Sequence, residues 1–420
     1  MIVPSIDLMN GKTVQLVGGR EKALDAGDPL PIAEKFRLAG EIAVVDLDAA
    51  IGRGRNSTVI GKLIETAPCR VGGGIRDAQT AIRWLNEGAT KVVLGTAAQP
   101  EVLSKLPPER VIAALDADGD EIVVEGWRRR TGQNVPERMR ELRRLVGGFL
   151  VTFVEREGRM AGFDMERVKQ LAEIAGDARL TVAGGVTTTE EIAELDRLGV
   201  DAQVGMAIYT GRLDLADAIA APLTSDRPDG LWPTVVTDQS GIALGLAYSN
   251  IASLREAVRT QRGVYHSRSR GLWIKGETSG DVQDLLRIDP DCDRDALRFT
   301  VRQHGAGFCH LNRRTCWGED EGLARLARRL AERVADAPEN SYTRRLLENP
   351  DLLRDKLLEE ARELAEANEK QEVIWETADL VYFALVAMAR GGVSLAEVEN
   401  HLARRALRLT HRGQNGENRP

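Results

Sequence analysis

The chain has 420 residues, 43% of them apolar, and a formal net charge of −7 at pH 7. That length suggests about two to four domains with packed cores, and the acidic balance, with only short basic clusters, argues against nucleic acid as the main partner. Four cysteines, one isolated at Cys69, make no secreted disulfide framework. Met1 to Asp7 shows no basic leader, and the longest apolar run, Leu380 to Ala389, is ten residues, short of a membrane span. A soluble, cytoplasmic protein with no membrane partner is expected.

From residue 1 to about 222, short apolar strands alternate with amphipathic helical stretches. Ile2-Val3-Pro4-Ser5-Ile6 ends in Asp7, Ile42-Ala43-Val44-Val45 in Asp46, Val92-Val93-Leu94 in Gly95-Thr96, and Val111-Ile112-Ala113-Ala114-Leu115 in Asp116. Such units read as parallel βα repeats, and their number suits one (β/α)8 barrel over 1–222, with its active site beyond the C-terminal strand ends. The half also repeats internally. Gly73-Gly74-Ile75 recurs 111 residues later as Gly184-Gly185-Val186, Gly95-Thr96-Ala97 recurs 110 later as Gly205-Met206-Ala207, and Asp7 and Asp116 are 109 apart. Glycine loops at helix N-termini bind phosphate, so two matched loops suit a substrate with a phosphate at each end; taken singly, the glycines only turn βα corners. Asp7 and Asp116, ending strands 1 and 5, should face each other across the mouth as an acid–base pair, although a lone strand-end Asp is often a helix cap.

Several pieces of this half resemble the isomerase of histidine biosynthesis that acts on phosphoribosylformimino-aminoimidazole carboxamide ribotide. They are Ile6-Asp7-Leu8-Met9-Asn10-Gly11-Lys12, Val45-Asp46-Leu47-Asp48, Val71-Gly72-Gly73-Gly74-Ile75-Arg76, Gly95-Thr96-Ala97-Ala98, Asp116 with Gly126-Trp127, and Val204-Gly205-Met206-Ala207-Ile208-Tyr209. The resemblance implies an Amadori aldose–ketose rearrangement with Asp7 as base and Asp116 as acid, and substrate binding by the glycine loops and Arg76. Three places depart from the family pattern: Thr152-Phe153 stands for Thr-Asp, Glu157-Gly158-Arg159 for Asp-Gly-Thr, and Ala183-Gly184-Gly185 for Ser-Gly-Gly. If they border a phosphate, Phe153 and Arg159 should affect substrate affinity.

The turn-rich stretch Ala221 to Gly230 marks a domain break. Beyond it, over 227–318, lies a basic, hydroxyl-rich segment. Arg268, Arg270 and Lys275 supply charge for a phosphate, and Thr278, Ser279 and the neighbouring glycines let backbone approach it; a solvated basic loop is the plainer account. Cys292, Cys309 and Cys316 fall within 25 residues, among Asp291, Asp293 and Asp295. Thiolates suit zinc and carboxylates suit a hard cation, whereas ordinary buried cysteines need neither. Cys309 and Cys316 are seven apart, so a loop or a second subunit must bring them together. The segment resembles phosphoribosyl-AMP cyclohydrolase. The resemblance implies zinc on the three cysteines, a magnesium-type ion on the three aspartates, hydrolytic ring opening by an activated water, and His310 as the group that moves a proton.

Leu323 to Val334 reads as a helical connector, and 341–410 as an all-α bundle. Glu359, Glu363 and Glu366 share a helix face with Glu360 on its flank, opposite an apolar stripe of Leu357, Leu358, Ala361, Leu364 and Ala365. A solvated acidic face accounts for this as well as a metal site does. The next helix adds Glu376 and Asp379 just before the run Leu380 to Ala389, which should be buried in a bundle or dimer core. Together these carboxylates make an oxygen-rich nest for magnesium. Ser341-Tyr342-Thr343, Glu359-Glu360-Ala361-Arg362-Glu363 and Glu376-Thr377-Ala378-Asp379-Leu380 resemble phosphoribosyl-ATP pyrophosphohydrolase, which implies magnesium against the substrate's triphosphate. The tail from His411 to Pro420 reads as disordered.

The fold class expected is therefore multidomain: an N-terminal (β/α)8 barrel, a central mixed α+β metal-binding domain and a C-terminal all-α helical bundle. The three resemblances are successive steps of histidine biosynthesis, in reverse order along the chain. They imply a trifunctional enzyme acting on phosphorylated nucleotide substrates, with Zn2+ and Mg2+, as a homodimer. The competing expectation is a bifunctional cyclohydrolase and pyrophosphohydrolase whose barrel is a non-catalytic scaffold, with a barrel that also accepts phosphoribosylanthranilate as a third.

Overall fold

The computed structural model describes residues 1–17, 21–124, 127, 129–156 and 162–409. Gly126, Glu157-Gly158-Arg159 and the tail from His411 lie outside the described residues. Two compact units form. The first holds Met1–Thr237, Gly245–Gly305 and Leu407 onward, and the second holds Asp238–Leu244 and Ala306–Ala406.

Eight parallel strands build the barrel: β1 (Ile2–Met9), β2 (Ile42–Asp46), β3 (Cys69–Gly72), β4 (Lys91–Leu94), β5 (Val111–Asp118), β6 (Gly148–Phe153), β7 (Arg179–Ala183) and β8 (Asp201–Val204). Each pairs with the next, and β8 closes on β1 with Ala202 opposite Ile2. The apolar strands are buried on both faces, as a barrel wrapped in helices requires. Helix caps follow from the sequence: Asp46, Asp77, Asp164 and Thr188 each accept a backbone N–H at the start of the following helix.

At the mouth, β1 and β5 depart from simple βα order. After β1, strands Lys12–Val17 and Glu21–Gly27 add a hairpin; after β5, Glu121–Val124 and Arg129–Asn134 add another. Asn10 and Gly11 take φ of 52° and 75°, the two positive values a tight hairpin turn needs. The internal repeat thus extends to a matched pair of hairpins over the mouth.

The chain continues with β9 (Trp232–Thr237), β10 (Ala243–Ser249), β11 (Val264–Ser267), β12 (Gly271–Ile274), β13 (Gln283–Pro290) and β14 (Leu297–Gln303), all in the first unit but for Ala243 and Leu244. Four of these form a sheet in the order β10-β9-β14-β13, and β11 and β12 form a separate hairpin. Tyr265 and Phe299 are fully buried, their rings 5.5 Å apart, and the Tyr265 hydroxyl donates to Gln283 at 2.6 Å. This α+β layer packs on the barrel through β13 against the turn Arg37–Ala39, and through Arg255, which donates to Asp217 at 2.7 and 2.9 Å. The turn precedes β2, so the contact lies at the barrel's N-terminal end, away from the mouth.

In the second unit, helices Gly322–Asp336, Tyr342–Glu348, Pro350–Glu366 and Lys370–Arg390 surround a core of Leu330, Leu346, Leu353, Phe383, Leu385 and Val386, with Leu395–Ala406 following. The stretch expected to be a connector therefore contributes Leu330 to this core. The run Leu380 to Ala389 buries only Phe383, Leu385 and Val386 fully. The expected stripe on helix Pro350–Glu366 is also corrected. Leu358, Ala361 and Ala365 are exposed, and the inward side carries Leu353, Leu357, Glu360 and Leu364. Positions 353, 357, 360 and 364 lie on one helical face, so a carboxylate occupies the core-facing stripe. No single described helix is long and apolar enough to cross a membrane.

Candidate active sites

A cavity of about 1140 Å³ opens at the C-terminal strand ends of the barrel. Asp7 and Asp116 both line it, from strands 1 and 5, which are opposite in the closed order. So do both glycine pairs, Gly73-Gly74 and Gly184-Gly185, together with Gly95, Thr96, Gly205 and Arg76. The sequence thus foretold which residues surround one space.

Burial pushes the Asp7 carboxyl up from 3.8 to about 7. Asp116 is also raised by burial, against the opposing effect of hydrogen bonds with Trp127 and Thr152. Thr152 sits directly opposite Asp116 in the β5–β6 register. The Tyr209 hydroxyl, held to the Ser5 carbonyl at 2.9 Å, is pushed up by burial and by the Asp7 charge. A second layer fixes the strand ends. Asn56 donates to Asp46 at 2.7 Å and to Asp48 at 3.0 Å. It accepts from the Gly11 N–H at 2.8 Å, and Asp48 accepts from the Asn10 N–H at 2.6 Å. This network locks the turn after β1 to the loop after β2, so Asp7 stands on a braced strand.

The glycines matter for space as much as for conformation. Gly73 has φ of 91°, and a Cβ there would fall on the Asp46 carbonyl; at Gly74, φ 69°, it would strike Ala49. Only glycine lets this loop present its N–H groups so close to β2.

Several cavity residues were given no site role in the sequence reading. Trp127 and Arg129 come from the hairpin after β5, and Arg53 from the loop after β2. Arg138, 7% exposed, braces the loop after β4 by donating to Ala98 O and Gln99 Oε1, both at 2.7 Å. The two-residue turns Asn10-Gly11 and Gly119-Asp120 are the local signals that could have revealed the two hairpins. Phe153 does not line the cavity. Strand β6 sends Leu150 and Thr152 inward, while Phe153 is buried against Phe163, with rings 5.7 Å apart, and under the Arg167 guanidinium at 4.7 Å. The expectation that Phe153 borders a phosphate is therefore corrected: strand alternation turns it toward the helices.

In the α+β layer, Arg268 and Arg270 are exposed at the β11–β12 turn, over Tyr248 at 5.9 Å and Trp273 at 5.6 Å. Lys275 is buried, and Thr278 and Ser279 are exposed in the turn that follows. Asp291, Asp293 and Asp295 gather carboxylate oxygens within 4.8 Å of one another, a donor set that suits a hard cation. Asp295 is raised first by the Asp293 charge, a repulsion that a cation would relieve. Cys292, exposed, belongs to this first unit; Cys309, buried, and Cys316, exposed, belong to the second. All three thiols are free of disulfides, as zinc ligands must be. The Asn312 N–H donates to the Cys309 carbonyl at 3.1 Å, closing a tight turn in which His310 is exposed.

In the helical unit, Glu360, Glu363 and Glu376 bring carboxylate oxygens within 4.8 Å of one another. Glu360 is 6% exposed and is raised by burial, then by the charges of Asp379 and Glu363. Glu376 is raised likewise. Glu359 pairs with Lys356 at 2.7 Å, and Asp379 is exposed at the edge of the group. Three carboxylates this close form a donor set of the kind that suits a hard cation.

The fold and its sites define a chain that joins a (β/α)8 barrel to a segment with clustered aspartates and free thiols and to a helical segment with clustered glutamates. The chain belongs to the histidine biosynthesis protein family, whose model matches residues 1–214. The model for phosphoribosyl-AMP cyclohydrolase matches 245–318, and that for phosphoribosyl-ATP pyrophosphohydrolase matches 323–406. An imidazole-4-carboxamide isomerase of Methanocaldococcus jannaschii is 33% identical over 232 residues, covering 52% of this chain and 98% of the relative. A histidine biosynthesis trifunctional protein of Komagataella pastoris is 47% identical over 236 residues, 56% of this chain and 27% of the relative. A histidine biosynthesis bifunctional protein of Schizosaccharomyces pombe is 50% identical over 201 residues, 48% of each. The chain thus spans about a quarter to a half of the length of these two fungal relatives.

Proposed function

We propose that the chain is a trifunctional enzyme of histidine biosynthesis: 341–410 releases pyrophosphate from phosphoribosyl-ATP, 227–318 opens the adenine ring of phosphoribosyl-AMP, and 1–222 isomerises the product. The observation that carries the reading is the barrel cavity, with two opposed carboxylates between two matched glycine loops. The loops and Arg76 grip the substrate's two phosphates. Asp116 protonates the opening sugar oxygen, and Asp7 removes the proton from the adjacent carbon. A base near 7 suits work at neutral pH, and a raised partner keeps the proton an acid needs.

In the ring-opening segment, Cys292, Cys309 and Cys316 would hold zinc, and Asp291, Asp293 and Asp295 magnesium or a similar ion. Zinc, when bound, supplies an activated water. His310 moves the proton, while Arg268, Arg270, Lys275, Thr278 and Ser279 receive the phosphate. In the helical segment, Glu359, Glu360, Glu363, Glu376 and Asp379 would hold magnesium, which neutralises a triphosphate. The protein works in the cytoplasm as a homodimer, on nucleotide-type phosphates, without nucleic acid or membrane partners.

Phe153 faces away from the cavity, so this departure from the family pattern does not argue for a scaffold barrel; Arg159 lies outside the described residues. Offering each of the three substrates separately to the purified chain tests the reading. A chain that opens the ring and releases pyrophosphate but performs no isomerisation would return the barrel to a scaffold.

A further inference from the structure

The turn between β13 and β14 carries the three aspartates, and Arg294 stands at its tip. Arg294 has φ of 66°, a conformation that glycine adopts far more readily than a residue with a side chain. Its side chain reaches 98 residues away. Nε donates to Asp196 Oδ2 at 2.8 Å and Nη2 to Asp196 Oδ1 at 3.1 Å, a two-pronged pair on the barrel. Nη1 also donates to the Asp291 carbonyl within the turn. The Arg294 carbonyl accepts from the Thr224 N–H at 2.7 Å, so the interdomain stretch holds the tip from the other side. Below the tip, Asp291 Oδ1 accepts the N–H groups of Asp295 at 3.0 Å and Ala296 at 3.1 Å.

Asp196 is as unusual as Arg294. It lies in the last turn of helix Thr189–Arg197, where the helix dipole disfavours an acid, yet its side chain is only 9% exposed. Besides Arg294, the Met1 amine lies 3.0 Å from it. A buried acid at a helix C-terminus and a bulky residue at positive φ are both locally unfavourable. The pair they form explains both.

We propose that the barrel positions the acidic turn: Asp196 and Arg294 form a clamp that sets the spacing of Asp291, Asp293 and Asp295. The barrel is then a structural partner of the ring-opening segment as well as an enzyme in its own right. The consequence for metal binding rests on reading the aspartates as a hard-cation site; the clamp itself does not.

The test uses the full chain and the variants Asp196→Asn, Arg294→Gly and their double. Manganese binding is titrated, and the event that disappears in Asp293→Asn is assigned to the turn. Amide exchange is followed at Thr224, Asp295 and Ala296. The clamp predicts faster exchange at all three amides in each single variant, and manganese binding weakened about fivefold, with the double no weaker than the poorer single. Arg294→Gly is the sharp case: local strain alone predicts a steadier turn with glycine there, whereas the clamp predicts a looser one. Unchanged exchange in Arg294→Gly overturns the proposal, as does faster exchange with unaltered manganese affinity. If the parent shows no manganese event sensitive to Asp293, the metal reading falls instead, and exchange alone then decides the clamp.

Discussion

The raised carboxyl of Asp7 makes a prediction that ties function to stability with opposite signs. Burial lifts it from 3.8 to about 7. At roughly 1.4 kcal/mol per pH unit, that lift corresponds to a cost on the order of 4 kcal/mol for ionising Asp7 in the folded barrel, reduced to the extent that cavity water reaches the half-buried carboxylate. The folded pKa lies above the unfolded one, so the folded chain holds this proton more tightly. Its stabilising effect is complete below pH 3.8, declines as pH rises toward 7, and is replaced above 7 by the steady cost of a buried charge. The substitution Asp7→Asn removes that cost. At pH 8 the variant's barrel should therefore resist urea better than the parent's, and the gap should close on acidification toward pH 4. Catalysis should move the other way. In the parent, kcat/KM for isomerisation should fall tenfold per unit below about pH 7, because only the ionised carboxylate accepts a proton. In Asp7→Asn it should be lower by about a hundredfold or more and lack that limb. Asp116 must keep its proton, so any alkaline limb belongs to the pair rather than to one residue. Urea stability is best followed by exchange of barrel-strand amides, since a multidomain chain does not unfold in one step. An isomerisation rate flat down to pH 5, or an Asn variant less stable at pH 8, would refute the reasoning.

Other perturbations separate the sites. Gly74→Ala drives a methyl into Ala49 at positive φ, so it should raise KM for the isomerase substrate about tenfold or more, with ring opening untouched. Cys309→Ser should remove about one equivalent of zinc and abolish ring opening while pyrophosphate release continues; retention of both zinc and ring opening breaks the proposed ligand set. Glu360→Gln takes the charge from the core-facing acid and should slow pyrophosphate release by about a hundredfold, and a parental rate would remove Glu360 from the proposed magnesium nest. Phe153→Leu should lower barrel stability by about 1 kcal/mol and leave KM alone, because the ring packs on Phe163 and Arg167 outside the cavity.

The barrel's cavity was legible because its signals are local and repeated. A strand ending in Asp or in paired glycines puts those residues at the mouth whatever surrounds them, and the matched spacings told that both halves face one space. What the sequence withheld depends on partners far away in the chain. Nothing near Arg138 says that it braces Ala98, and nothing near Arg294 points to Asp196. The helix Pro350–Glu366 misled for another reason. Leu and Ala lie on more than one of its faces, so composition could not choose the phase; packing chose the side that carries Glu360.

The strand β6 shows what a residue-level departure can and cannot mean. Thr152 and Phe153 are neighbours in sequence, but successive side chains of a strand point to opposite faces. Thr152 reaches the cavity and stands opposite Asp116, while Phe153 fills a gap between strand and helix that an aromatic ring closes well. A bulky apolar residue there adds packing. The same parity puts Ser5, Asp7 and Met9 of β1, and Ala114 and Asp116 of β5, on the cavity side, with Ile6, Leu8 and Ala117 turned outward. Strand-end identity gains functional meaning only after the alternation has been counted from a residue whose face is known, and Asp116 supplies that reference for β6.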